Sequence, residues 1–149
     1  MDPVVATVAE LFREVHQQMR DEVRDLDAAA LNWAPAPDTN PIAALVTHTL
    51  GSEAEVLRIV RDLPSDRDRP AEFLARVDDP AALLARLDAA DALLDELAPG
   101  ITAADLAALR PRPNREPRTG LYWLVQNAGH AREHLAHLQL TKQLYDASR

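Results

Sequence analysis

Cysteine is absent from the 149 residues, which excludes disulfides and thiolate-held metal sites alike. A metal here must rest on His, Asp or Glu. Glycine is scarce, at four residues, while alanine and leucine recur throughout; that balance favours helices, where glycine loses most freedom and these two lose little. No uninterrupted apolar stretch approaches the length that spans a membrane, and the start Met1-Asp2-Pro3-Val4 has neither the basic residues nor the apolar run of a secretory signal. The expected location is the cytoplasm. Positive charge is also short: the formal net charge is -8, so most of the surface repels a nucleic acid. The one basic cluster, Arg110, Arg112, Arg115 and Arg118, is interleaved with Pro111, Pro113 and Pro117 and interrupted by Glu116. It reads as a solvated loop, with an anion-binding edge as the alternative.

What remains is an ordinary soluble composition, 47% hydrophobic and 27% charged, long enough for one domain over residues 1–149. Four long helices are predicted. The first covers residues 3–27, with Asp2 as N-cap and an apolar stripe through Val4, Val8, Leu11, Phe12, Val15, Met19, Val23 and Leu26. Residues 31–40 form a loop, since Pro35 and Pro37 disfavour helix before them, and Leu31 and Trp33 fold back onto the bundle. The second helix covers residues 40–61, with His48 beside an inner stripe of Ile42, Leu45, Thr49, Ser52, Val56 and Ile59. A charged loop over 63–69 and a short helix over 70–77 precede the third, which begins at Asp79 and stops before Pro99-Gly100. Thr102 caps another short helix ending near Leu109, with Asp105 at its third position, and the last long helix covers residues 119–146. The fold class is an all-α four-helix bundle with short accessory helices.

Chemistry concentrates in the histidines: His16, His48, His130, His134 and His137. At about 100° per residue, the last three fall within a narrow arc of one helix. Side chains four apart point the same way, so His130 and His134 can converge on one ion. Alone, that pair reads better as two hydrogen-bonded side chains beside the core than as a metal site, and His48 alone as a satisfied core histidine. His16 and His137 read as surface or supporting side chains, and Glu53 and Glu133 as solvated. Three core-facing histidines from two helices are different: a buried imidazole needs partners for both nitrogens, and a metal supplies one while a neighbouring acceptor supplies the other. Three histidines on a divalent ion leave coordination positions open, the pattern of catalytic zinc. The last helix is apolar on its far side too, through Leu121, Leu124, Val125, Ala128 and Leu135, which points to a homodimer.

Three stretches carry a family resemblance. Leu31-Asn32-Trp33-Ala34-Pro35-Ala36-Pro37-Asp38-Thr39-Asn40-Pro41-Ile42, Leu45-Val46-Thr47-His48-Thr49-Leu50-Gly51-Ser52-Glu53, and the run from Thr119-Gly120-Leu121-Tyr122-Trp123 through His130-Ala131-Arg132-Glu133-His134 to Leu144 resemble the DinB-like (YfiT-like) superfamily. The resemblance follows the whole helical order, although the middle third carries no motif. It implies a metal triad of one histidine on the second long helix plus H-x-x-x-H on the last; those positions are His48, His130 and His134. Members often carry Gly-Gln soon after the last histidine, where this chain has Ala136 and His137.

The resemblance further implies a divalent metal ion, Zn or Ni ahead of Mn, Fe or Co, and a low-molecular-weight thiol such as mycothiol or bacillithiol. Related proteins include thiol-dependent transferases and isomerases and metal-dependent hydrolases. The expected function is a metal-dependent enzyme of one of these types, acting on a small molecule, with no nucleic-acid or membrane partner. His137 and Glu53 are weak candidates for an acid–base role. The alternative is a non-enzymatic small-molecule or stress-associated binding module that keeps the metal pocket; a purely structural dimer is the third reading.

Overall fold

The Asp2 carboxylate accepts from the Val4 N–H at 2.8 Å and Pro3 occupies the first turn, starting helix α1 (Pro3–Val23). The computed structural model describes all 149 residues, Met1–Arg149. α1 buries Val5, Val8, Phe12, Val15, Met19 and Val23; Val4, expected on this stripe, is exposed and Val5 takes its place. The helix stops four residues earlier than expected because Asp27 begins a new element rather than ending the old one. Its carboxylate accepts from the Ala30 N–H at 3.0 Å and caps α2 (Ala28–Asn32), inside the segment expected to start a loop. α2 buries Leu31 completely, and Asn32 clamps Val77 through both its N–H and its carbonyl.

α3 (Ile42–Val60) follows Pro41 and is buried along most of its length. Asp68 caps the single-turn α4 (Arg69–Phe73), shorter than the expected 70–77. Asp79 caps α5 (Pro80–Leu97), which buries Leu83, Leu87, Leu94 and Leu97 with Leu84 half-buried. After a 3-10 turn at Ala98–Gly100, Thr102 and Asp105 close a reciprocal capping box on α6 (Ala103–Ala107).

The basic segment is not a solvated loop. It forms an antiparallel hairpin, β1 (Leu109–Arg112) and β2 (Arg115–Thr119), with Leu109 opposite Thr119 and Arg112 opposite Arg115. Pro113 and Asn114 make the turn, and Asn114 takes a left-handed φ of 60°, which asparagine tolerates better than most residues. What drives the hairpin is Arg112: it turns inward to 5% exposure, stacks 5.4 Å from the Trp123 ring and meets a carboxylate on α3. Thr119 then caps α7 (Gly120–Ser148). Gly120 lets this helix start hard against α6, since a Cβ there would lie 2.3 Å from the Asp105 carbonyl oxygen.

α1, α3, α5 and α7 form a bundle around one continuous core of 30 buried apolar residues, with α3 and α7 in the most extensive contact. No helix is long and apolar enough to cross a membrane.

Candidate metal centre

Two polar stripes face each other across the α3–α7 contact. On α3, His48, Ser52 and Glu55 recur at steps of four and three; on α7, Asn127, His130 and His134 recur at three and four, one turn beyond Trp123. Both spacings keep a single helix face. Ser52, Glu55, His48 and Asn127 are buried, and His130 and His134 half-buried. Asn127 donates to the Ser52 hydroxyl at 2.8 Å, which also accepts from Arg112 at 3.0 Å, so the two helices are tied one turn from the histidines.

His48, His130 and His134 come together. One ring nitrogen from each lies within 4.8 Å of the other two, so this group could hold a metal ion. The His48 centroid is 5.2 Å from that of His130 and 4.9 Å from that of His134, both edge-on. The Nε2 atoms of His130 and His134 stand 3.0 Å apart. Two nitrogens each about 2.0–2.1 Å from a shared divalent ion keep roughly that separation, so the donor set fits a metal. Burial first, and then the charges of neighbouring rings and of Arg112 and Arg115, pushes His130 down to about 3. His134 is pushed down to about 4, by burial and then by His48 and His137. Both rings are therefore neutral at pH 7, the form that ligates. Neither ring's Nδ1 has a hydrogen-bond partner in the protein.

His48 is held from behind. Its Nδ1 lies 3.0 Å from Glu72 Oε1, on α4. Burial would raise the Glu72 carboxyl, but the bonds from His48 and Arg67 outweigh it and keep the group below its usual range. A carboxylate only accepts, so the Nδ1 carries the proton and Nε2 presents its lone pair to the centre. Arg67 fixes Glu72 with two bonds, at 2.9 and 2.8 Å, and donates a third, at 2.8 Å, to Glu55. Phe73 stacks on the His48 ring at 4.5 Å. Gly51 makes room for this arrangement: a Cβ there would lie 1.8 Å from Glu72 Oε2.

The other candidates lie elsewhere. His16, read as a surface or supporting side chain, is fully buried: its Nε2 meets Glu53 Oε2 at 2.8 Å and its Nδ1 meets Asp91 Oδ1 at 2.6 Å. Glu53, expected in solvent, is 2% exposed because it turns toward His16. Five residues separate it from His48, which puts it about 140° around α3 from the triad. Burial lowers His16, but the two carboxylates more than reverse this, so the ring is raised; burial raises Glu53 as well, against the pull of His16. His137 is exposed on α7 with its ring edge-on to His134 at 5.4 Å, and Glu133 is exposed as expected.

Sequence reasoning missed Arg67, Glu72, Gly51, Glu55, Arg112 and Asn127. Glu55 and Asn127 continue the helical periods of His48 and His130, a signal present in the chain. Arg67 and Glu72 come from the segment without a motif, and only the return of α4 against α3 brings them in.

The comparisons with known proteins bear on this arrangement. No match was found among curated proteins. Among solved structures, the chain is similar to a conserved protein from Enterococcus faecalis, at 19% identity and a TM-score of 0.77, over 97% of this chain and 98% of that one. That likeness shows a shared fold. The family model of the DinB superfamily matches residues 11–138, a span that contains all three clustered histidines. The chain belongs to the DinB superfamily.

Proposed function

We propose that this protein is a metal-dependent enzyme of the thiol-transferase, isomerase or hydrolase type, in which His48, His130 and His134 hold one divalent ion. The observation that carries the reading is the convergence of three imidazoles from α3 and α7, two kept neutral by burial and the third aimed by a carboxylate. A bound ion supplies Lewis acidity that brings a water or a low-molecular-weight thiol near neutral pKa, which a chain without cysteine cannot do with its own thiol. Zn or Ni is the favoured ion, with Mn, Fe or Co next.

The chain's own residues set the stage. Glu72 orients His48 and fixes its tautomer; Arg67 locks Glu72; Phe73 covers one face of the ring. Ser52, Asn127 and Arg112 hold α3, α7 and the hairpin at fixed spacing. Glu53 is committed to His16, which leaves His137 as the nearer candidate for moving a proton. That absence of a placed carboxylate base favours a second reading, a binding module that keeps the metal pocket without turnover.

Metal analysis of the purified protein tests the first reading. One equivalent per chain is expected, falling to under about a tenth in His130→Ala, His134→Ala and His48→Ala; stoichiometry unchanged by these substitutions overturns it. With metal present, thiol consumption or hydrolysis across a substrate panel supports the enzyme, and ligand binding without either supports the binding module.

We further propose that the protein is cytoplasmic and forms a homodimer. Val4, Leu121 and Val125 are 41%, 41% and 54% exposed along α1 and α7, an apolar face that a second copy would cover. Light scattering should give a dimer for the native chain and a monomer for Val125→Glu; a native monomer at micromolar concentration rules this out.

A further inference from the structure

Beside the three histidines lies a second concavity whose chemistry differs from theirs. It has a volume of about 340 Å³ and is lined by Glu55, Arg67, Arg69, Arg112, Asn114 and Arg115, with Pro70 and Pro113 completing the wall. Prolines apart, every lining side chain is charged or an amide. The wall comes from three places in the sequence: α3, the loop into α4 with that helix's first residues, and the hairpin turn.

The charges do not balance. Four guanidiniums meet Glu55 within the wall and Glu72 just behind Arg67, leaving a surplus of two positive charges in a molecule whose net charge is -8. Arg67 and Arg112 are the buried pair, their side chains 10% and 3% exposed, and both donate to the same Glu55 oxygen, at 2.8 and 3.0 Å. Arg69 and Arg115 are exposed at the rim. Neither forms an ion pair or a side-chain hydrogen bond, although Arg69 lies 5.0 Å over the Phe73 ring. Burial, and then the nearby charges of Arg115 and Arg67, lowers Arg112 in spite of Glu55. A fold that holds like charges this close, two of them out of water, is suited to a ligand of opposite sign. The planar fork of the guanidinium matches carboxylate and phosphate oxygens.

The pocket also adjoins the histidine centre. Arg67 Nη2 is 3.3 Å from His48 Nδ1, and Arg112 donates at 3.0 Å to the hydroxyl of Ser52, one turn from His48 on α3. We propose that this pocket binds the oxyanion, carboxylate or phosphate, of a small molecule whose other end reaches the three-histidine centre. Arg69 and Arg115 supply the free donors, and Arg67 and Arg112 the fixed charge beneath them. The second half of the statement rests on the metal reading above; the anion site itself does not. A volume near the lower end of the range for ligand pockets, with no aliphatic or aromatic wall, selects a small polar anion.

Calorimetric titration of the full chain tests this, using inorganic phosphate and succinate as probes at low ionic strength, on both metal-free and metal-loaded protein. At least one probe is expected to bind at one equivalent per chain with or without metal. The double variant Arg69→Gln/Arg115→Gln, which removes no ion pair or side-chain hydrogen bond and only the stacking of Arg69 on Phe73, should weaken it at least about tenfold while leaving metal content unchanged. Arg24→Gln, at an exposed arginine just past the end of α1, should change nothing. Binding of succinate alone assigns a carboxylate ligand and binding of phosphate alone a phosphate ester; binding of both supports the shared oxyanion site. The proposal is overturned if neither probe binds at millimolar concentration, or if the double variant binds as tightly as the native chain. An anion that binds to protein unable to take up metal leaves this pocket standing and removes the metal centre; metal uptake without anion binding does the reverse.

Discussion

Replacing Gly51 by alanine should separate the stability of this protein from its affinity for metal. Glycine in a helix interior costs about 0.8–1 kcal/mol relative to alanine, so the substitution alone favours α3. The added Cβ would sit 1.8 Å from Glu72 Oε2, 2.6 Å from its Cδ and 3.3 Å from Oε1. These atoms end a flexible side chain, so the carboxylate swings away rather than forcing the helices apart. In leaving, it gives up the 3.0 Å contact with His48 Nδ1 and both bonds from Arg67, while Arg67 keeps Glu55. The helix gain offsets part of the lost buried ion pair, and Arg67 keeps Glu55, so the net loss of stability stays at about 1–3 kcal/mol rather than the full cost of a broken buried pair. His48 meanwhile loses the acceptor that fixes its tautomer, a change that costs roughly 10–100-fold in metal affinity. Competition against a chelator reads the second quantity and thermal denaturation of the metal-free protein the first. Glu72→Gln, which keeps the volume but not the charge, should lower affinity less. The reasoning fails if Gly51→Ala binds metal within about twofold of the native chain, or if it loses more than about 3 kcal/mol of stability, which would mean that the carboxylate does not yield.

Three further outcomes follow from other polar groups. His16→Ala leaves Glu53 buried without its partner and should cost about 3–5 kcal/mol, a fall in Tm of roughly 6–20 °C, whereas His16→Leu/Glu53→Leu should recover most of it; a double variant as unstable as the single one refutes this. The folded-state pKa of His16 is raised, so while Glu53 is ionised its contribution fades as pH climbs through the folded value, and the gap between native and His16→Ala should narrow in alkali; burial also raises Glu53, so the contribution is lost again in acid as that carboxyl protonates. Because His130 and His134 are held down to about 3 and about 4, metal uptake between about pH 5 and 6 should displace no more than one proton per ion. Proton release of two or more, measured by calorimetry in buffers of different ionisation enthalpy, would count against the neutral pair.

The long helices were legible because their signals are local. The caps at Asp2, Asp79, Thr102 and Thr119 each accept the backbone bond that starts the predicted element. The triad was legible because two of its members are four apart and the third lies beside an apolar stripe. What escaped depended on contacts between distant segments. Nothing near Arg112 announces that it will turn inward; its partners are 57 and 60 residues away, on α3. Glu53 looks like any helix glutamate until His16, 37 residues earlier, is set against it. Asp27 carries a local signal that suits two roles, the tail of α1 or the N-cap of α2, and the structure uses the second.

The bridge at His16 also fixes how α1 sits in the bundle. Apolar stripes alone let neighbouring helices slide, because leucine against valine is nearly as good one turn up as one turn down. Sliding α1 by a turn would bring either Phe12 or Arg20 to the height of the Glu53 carboxylate. Phenylalanine offers that oxygen no donor, and arginine would have to abandon Asp88 and Asp91. One polar side chain in an otherwise greasy seam thus acts as a detent, and α1 has a single height at which it can stop.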